Sequence, residues 1–273
     1  MLSAVEALAL AVFLGVIQGV TEWLPVSSKT IIMLVLMAFG LSARASYELA
    51  IALNGATVLS ALLYFRRDFL RMLKHSPGSG QDFMFFLLVT LMTALVGVPL
   101  YAASKGMASA GGALVMAFAS LFMLATGVLA RKRESLVVGR AGRRTGLRLR
   151  DSITVGVSQG FSALPGVSRS GVTLASLLAL GYTNEASLRA SFIAGVPASL
   201  GGALLALLEG RGFIAPEIGA INSAIMFSAA ALTGLLSIDR LTKLALKVRF
   251  STFNFLLGAL GLLSASAVFL LTS

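Results

Sequence analysis

The sequence predicts an all-α integral membrane protein: six transmembrane helices and two re-entrant helical hairpins in an inverted-topology repeat. Three observations predict it. The chain of 273 residues is 57% hydrophobic and only 12% charged, where a soluble domain carries about 25% charged residues. Its apolar runs reach about 20 residues, the length a helix rising ~1.5 Å per residue needs to cross ~30 Å of hydrocarbon. Finally, the polar stretch Gln159 to Thr173, QGFSALPGVSRSGVT, has an echo 141 positions earlier in Gln18 to Thr30, QGVTEWLPVSSKT. Gln18 then matches Gln159, Ser27 matches Ser168, and Ser28 stands where Arg169 does, while Pro25 and Pro165 fall one residue out of step.

Taken in order, residues 3 to 40 form the first motif region, interrupted near its middle by Pro25 and small or polar residues. Spans follow at about 45 to 65, 83 to 105 and 112 to 131. A second interrupted region, 151 to 181, contains Pro165, and further spans lie at 186 to 208, 217 to 238 and 251 to 271. Broken helices expose backbone polar groups, which is tolerable at membrane depth only inside protein or beside a wet cavity. Both regions therefore read as re-entrant hairpins whose arms cover half to one membrane thickness. The first apolar run carries Glu6 rather than a basic start, so no cleavable signal is expected.

The net charge of +11 sits in the wrong places for nucleic acid. Sixteen of the 22 Lys and Arg fall in three clusters between apolar runs, at 66 to 74, 131 to 150 and 240 to 249. No aromatic residues interleave with them as single-strand binding requires, and anionic lipid headgroups are the expected partners. Basic loops stay cytoplasmic. That rule places both termini outside the cell and makes the two halves opposite in orientation. Repeat one is 1–131, a basic and mobile cytoplasmic linker is 132–150, and repeat two is 151–273. Inverted repeats hold their broken helices near the midplane, where sites form. The lone histidine, His75, lies in the first basic loop, and the lack of cysteine removes thiolate chemistry.

Candidate site residues cluster in the two motifs. Arg169 is a charge at membrane depth, expensive unless paired or functional, and its planar fork suits phosphate. Ser168, Ser170 and Thr173 surround it, and Gly166 and Gly171 open the backbone to an anion. A structural pair with Glu22 is the simpler alternative. Glu22 would take a proton from a hydroxyl or hold a divalent cation, with Gln18 one turn earlier in support. Ser27 and Ser28 follow Pro25 and suit helix capping, one of them doubling as a nucleophile. Lys29 adds a second cation within the motif, and Asn54 is polar within the next span.

On these residues the chain resembles the undecaprenyl pyrophosphate phosphatase family. The family's first motif is represented by Gln18, Glu22, Pro25, Val26, Ser27 and Ser28, and its PGxSRSxxT motif is complete from Pro165 to Thr173. The resemblance covers essentially the whole chain. It implies hydrolysis of a polyprenyl pyrophosphate at a site opening outside the plasma membrane, recycling a lipid carrier, a function tied to bacitracin resistance. It further implies Ser28 as nucleophile, or a water activated by Glu22 in its place, with Glu22 and Arg169 as catalytic partners. Gln18, Ser27, Lys29, Ser168, Ser170 and Thr173 would contact substrate, and Mg²⁺ or Ca²⁺ at Glu22 would serve as cofactor. A homodimer is one expected assembly. One departure stands out: Lys29, Thr30 and Ile31 occupy the place of the Thr-Gly-His typical of bacterial members. A lipid-phosphate transporter or flippase is the competing reading, since carriers also use inverted repeats with broken helices.

Overall fold

The computed structural model describes residues 3–74, 79–110, 112–139, 144–209, 218–245 and 250–272. His75 and linker residues 140–143 lie outside them. Eleven α-helices occupy the described residues: α1 (Ala4–Thr21), α2 (Ser28–Ala38), α3 (Ala43–Tyr64), α4 (Arg66–Leu73), α5 (Ser79–Ala110), α6 (Gly112–Gly139), α7 (Asp151–Gly160), α8 (Arg169–Ala179), α9 (Asn184–Leu208), α10 (Ala220–Ala245) and α11 (Phe250–Thr272). A 3-10 turn, Phe161–Ala163, follows α7. No strand occurs among the described residues beyond an isolated bridge between Arg144 and Tyr182.

Five of these helices, α1, α3, α5, α9 and α10, are long and apolar enough to cross a membrane among the described residues. The chain is thus a multi-pass membrane protein. At 18 residues α1 reaches the upper end of the length expected for a hairpin arm. The runs expected at 112 to 131 and 251 to 271 fall within α6 and α11. Large apolar side chains such as Leu95, Leu236, Ile221 and Leu263 stand exposed around the outside, as lipid-facing surface requires. Polar Gln18 and Gln159 are fully buried inside.

Each motif region breaks where expected. The chain leaves α1 at Thr21, passes Pro25 and restarts at Ser28; it leaves α7 and its 3-10 turn, passes Pro165 and restarts at Arg169. α1 lies along α10 and α7 along α5, α3 packs on α9, and α6 packs on α11. The α1 and α7 contacts are close because Gly19 faces Thr233 and Gly234, while Gly160 faces Val96 and Gly97. Small residues let membrane helices approach backbone to backbone. Positions 141 apart also share local geometry. Gly40 and Gly181 are both left-handed, at φ 87° and 86°, and Ser42 and Thr183 cap α3 and α9 with their side chains.

Two expectations change. The first basic loop includes a short helix, α4, which buries Met72 and joins Asp68 to Arg189 of α9 in an ion pair. The linker is not a plain loop: α6 continues through 132–139, and the described residues from Arg144 onward are docked. Arg144 exchanges backbone hydrogen bonds with Gly181 and Thr183. The Tyr182 hydroxyl accepts from the Arg148 amide at 3.0 Å and donates to Asp151 Oδ2 at 2.7 Å. Gln81 of α5 donates to the Leu147 carbonyl at 2.8 Å. Burial, reinforced by the hydrogen bond to Asp151, holds the Tyr182 phenol above its ordinary range.

Candidate active site

The two breaks face each other, and the carboxylate of Glu22 sits between them. Glu22 caps the C-terminus of α1 and is 6% exposed. Its Oε1 accepts from Arg169 Nη2 at 2.7 Å. Its Oε2 accepts from Ser28 Oγ at 2.9 Å and from Gln18 Nε2 at 2.9 Å. Gln18 also donates to Asn54 Oδ1 of α3 at 2.9 Å, and its own Oε1 is buried without a partner. The ion pair between Arg169 and Glu22, the alternative to an anion site at Arg169, is therefore made. Breaking a buried pair from one side costs about 3–5 kcal/mol, because the survivor is left uncompensated.

Arg169 is not used up by that pair. Its Nη1 makes a long 3.4 Å contact with the Ser191 carbonyl, and its Nε is buried with no partner. Ser28 opens α2 and Arg169 opens α8, so two helix N-termini, each carrying a partial positive charge, converge on one spot. Such termini favour anions.

The structure sorts the remaining candidates. Glu22, Ser27, Ser28, Lys29, Arg169 and Ser170 line a cavity of about 230 Å³. Gln18, Ser168 and Thr173 stand behind its wall. Ser168 caps α8 by accepting from the Gly171 amide at 3.2 Å. The Thr173 hydroxyl reaches the Arg169 carbonyl at 2.8 Å and Gln159 Oε1 at 3.1 Å. Ser27 is the N-cap of α2 by position but makes no side-chain cap; its hydroxyl meets Thr30 Oγ1 at 2.8 Å. The backbone amides of Gly166 and Gly171, expected to face an anion, go to Thr30 and Ser168 instead. Ser170 Oγ donates to the Leu24 carbonyl at 2.8 Å, so the two breaks interlock. Trp23 shapes the first of them by donating to the Gly234 carbonyl at 3.0 Å.

Some contributors were not legible in the motifs. Gly195 of α9 is one: a Cβ there would overlap the Arg169 guanidinium, so only glycine leaves the fork its place. Its signal was its position, 141 residues after Asn54. Tyr101 and the apolar residues Gly97, Val98, Pro197 and Leu205 are others. They extend the cavity between α5 and α9. The acidic and basic side chains on the wall are Glu22, Lys29 and Arg169, at one end of an otherwise largely apolar lining.

The chain is thus a membrane protein with a buried polar cluster, centred on Glu22, Ser28 and Arg169, built at the breaks of two helices. The family described as Bacitracin resistance protein BacA matches residues 11–263, and the chain belongs to that family. It is 39% identical over 228 residues to an undecaprenyl-diphosphatase of Pyrobaculum aerophilum, covering 80% of this chain and 84% of the relative. An undecaprenyl-diphosphatase of Haloarcula marismortui is 33% identical, with 94% and 97% covered. One of Methanococcoides burtonii is 34% identical, with 94% and 98% covered.

Proposed function

We propose that the chain hydrolyses a polyprenyl diphosphate of the undecaprenyl type to polyprenyl phosphate and inorganic phosphate, within the membrane. Membership of the family and the diphosphatase activity for which its relatives are named support this reaction. The single observation that carries the mechanism is the Ser28 hydroxyl donating to Glu22, whose other oxygen holds Arg169. A hydroxyl bonded to a base that is itself oriented by a third group is the signature of an activated nucleophile.

In this mechanism the apolar extension between α5 and α9 takes the start of the prenyl chain and the diphosphate meets Arg169. Ser28 Oγ attacks the terminal phosphorus as its proton passes to Glu22. The bond from that phosphorus to the bridging oxygen breaks, and polyprenyl phosphate leaves with the electron pair. Glu22 gives that proton up to the departing polyprenyl phosphate and is a carboxylate again. It then takes a proton from water as the water oxygen attacks the phosphoserine phosphorus. The bond from phosphorus to Ser28 Oγ breaks, and Glu22 returns the proton to Ser28 Oγ as phosphate is released. Arg169 and the two helix N-termini neutralise charge on the equatorial oxygens, which supplies most of the rate in phosphoryl transfer. Ser27 and Ser170 contact the headgroup from the wall, while Gln18, Ser168 and Thr173 hold the residues that do.

The donor set fits a divalent cation in one mode. Glu22 offers a single carboxylate, and the unpartnered Gln18 Oε1 offers a neutral oxygen on the side chain that touches it. Mg²⁺ is commonly bound by one or two carboxylates plus substrate phosphates. When bound, Mg²⁺ or Ca²⁺ would neutralise the diphosphate oxygens.

The architecture we propose is the inverted repeat, with repeat one 1–131, linker 132–150 and repeat two 151–273. The matching bounds of α2 and α8, and of the starts of α3 and α9, support it. The basic clusters support an orientation with both termini extracytoplasmic, and membership of the family supports a mouth opening on that same face. No observation favours a carrier over an enzyme.

The test is phosphate release from a long-chain polyprenyl diphosphate by purified protein, with Mg²⁺, with Ca²⁺ and with chelator, beside Glu22→Gln. Release should fall by about 10²–10⁴-fold in the variant, while lipid binding persists. Absence of release by wild-type protein that binds the lipid under every condition overturns the reading.

A further inference from the structure

We propose that Lys29 is a positioning residue: with Tyr47 it clasps the turn of the second broken helix and so sets the spacing of Ser28 and Arg169, rather than binding the diphosphate. The inference rests on the reaction proposed above. Lys29 is 6% exposed. Its ammonium donates to the carbonyls of Ser162 and, at 2.7 Å, Leu164. Tyr47 of α3 donates to the carbonyl between them, Ala163, at 2.6 Å. Three successive carbonyls from one half of the chain are thus taken by two side chains from the other.

The chemistry of that turn explains why a cation serves there. Carbonyls at the end of a helix have no partner within it and carry its negative pole. The Lys29 ammonium, with three donors, answers the Ser162 carbonyl of that end and the Leu164 carbonyl just beyond it, which also accepts from the Val167 amide at 3.4 Å, while lying 6.0 Å above the Tyr47 ring. The next residue completes the grip, since Thr30 Oγ1 accepts from the Gly166 amide at 2.6 Å. Gly166 is left-handed at φ 91°, a conformation only glycine adopts without strain. Lys29 and Thr30 together therefore hold 162, 164 and 166. Ser28 directly precedes this pair, and Arg169 follows the held turn by three residues. Nucleophile and clamp are kept in register through the clasp. An ammonium committed to two carbonyls is not aimed at a phosphate.

The experiment compares wild type with Lys29→Met, Lys29→Arg and Tyr47→Phe in kcat and KM for a long-chain polyprenyl diphosphate, and in inhibition by inorganic pyrophosphate. Amide hydrogen exchange across residues 161–168 is measured on the same proteins without substrate, with Ser28→Ala as a further control. Positioning predicts that Lys29→Met lowers kcat by about 100-fold with KM within about twofold, the mark of an interaction made only in the transition state. Lys29→Arg, whose fork spans two acceptors, recovers most of it, and Tyr47→Phe loses several-fold. Exchange in the turn accelerates in Lys29→Met and Tyr47→Phe but not in Ser28→Ala. A raised KM and weakened pyrophosphate inhibition with unchanged kcat and exchange would make Lys29 a phosphate ligand and overturn the clasp. Wild-type kinetics and exchange in Lys29→Met would do the same. If Lys29→Met does not purify as folded protein, Tyr47→Phe is judged by the same criteria. Exchange needs no turnover, so a wild type that hydrolyses nothing sinks the phosphatase reading while the clasp is still decided.

Discussion

The two broken helices share a frame and differ in what the frame holds. At the frame, matched positions keep their jobs: Gly40 and Gly181 turn the chain left-handed, and Ser42 and Thr183 cap the next helix. At the centre the matches part company. Ser28 carries a hydroxyl where Arg169 carries a charge, and Asn54 supplies an acceptor to Gln18 where Gly195 supplies space to Arg169. Even the matched glutamines differ. Gln18 is joined to Glu22 and leaves an oxygen free, whereas Gln159 donates to Thr93 and Ala194 and accepts from Thr173. In the proposed mechanism the difference has a chemical reason: attack on a phosphoryl group needs a base and nucleophile on one side and positive charge on the other. Two identical broken helices would supply two bases or two clamps, and under that mechanism the differences at the centre give one of each.

The contrast between Asn54 and Gly195 gives the largest effect. Gly195→Ala should lower kcat by about 100-fold, because displacing a clamp by ~1 Å costs that much. Asn54→Ala removes one hydrogen bond behind the base and should cost about 1 kcal/mol, roughly a factor of five to ten. Steady-state phosphate release measures both. Equal losses at the two positions would break the assignment of opposite roles.

The glutamines sharpen the comparison at a smaller scale. Gln159→Leu strips partners from buried polar groups and should destabilise the protein by about 1–3 kcal/mol, with turnover of the folded fraction within about threefold of wild type. Gln18→Leu should reverse the pattern, with turnover down about tenfold and thermal unfolding in detergent little changed, since one end of Gln18 is already unsatisfied. Matching stability losses would mean that Gln18 is structural too.

How much of this was legible in the sequence follows from what each feature depends on. A polar island in an apolar chain is visible as composition, so Glu22 and Arg169 stood out without any structure; Ser28 was told from Ser27 only by the resemblance to the family, and the echo at 141 positions marked their register. Contacts across the two halves were not visible. The Ser162, Ala163 and Leu164 carbonyls have no side-chain signature, so nothing in the letters joined them to Lys29 or Tyr47. Gly195 looked like any other small residue of a membrane helix, because its role is the absence of a side chain beside one particular guanidinium. The docked end of the linker was hidden for another reason. Its basic composition suggested a solvated loop, while its order comes from backbone pairing at Arg144 and from the Tyr182 hydroxyl.

The smallest effect tests the frame itself. Ser42 accepts from the Ala45 amide at 3.2 Å and Thr183 from the Ala186 amide at 3.2 Å, each satisfying one free donor at the start of a helix that flanks the site. Replacing either by Ala should cost about 1 kcal/mol, the usual worth of an N-cap. The two losses should agree, and each variant should turn over at the wild-type rate, because neither cap touches the residues around Glu22. Thermal unfolding of the two single variants in the same detergent measures the agreement. A loss at Thr183 much larger than at Ser42, or a fall in turnover at only one of them, would mean that the frame has diverged along with the chemistry. Asymmetry would then reach beyond the centre, and the helix starts would belong to the mechanism rather than to its support.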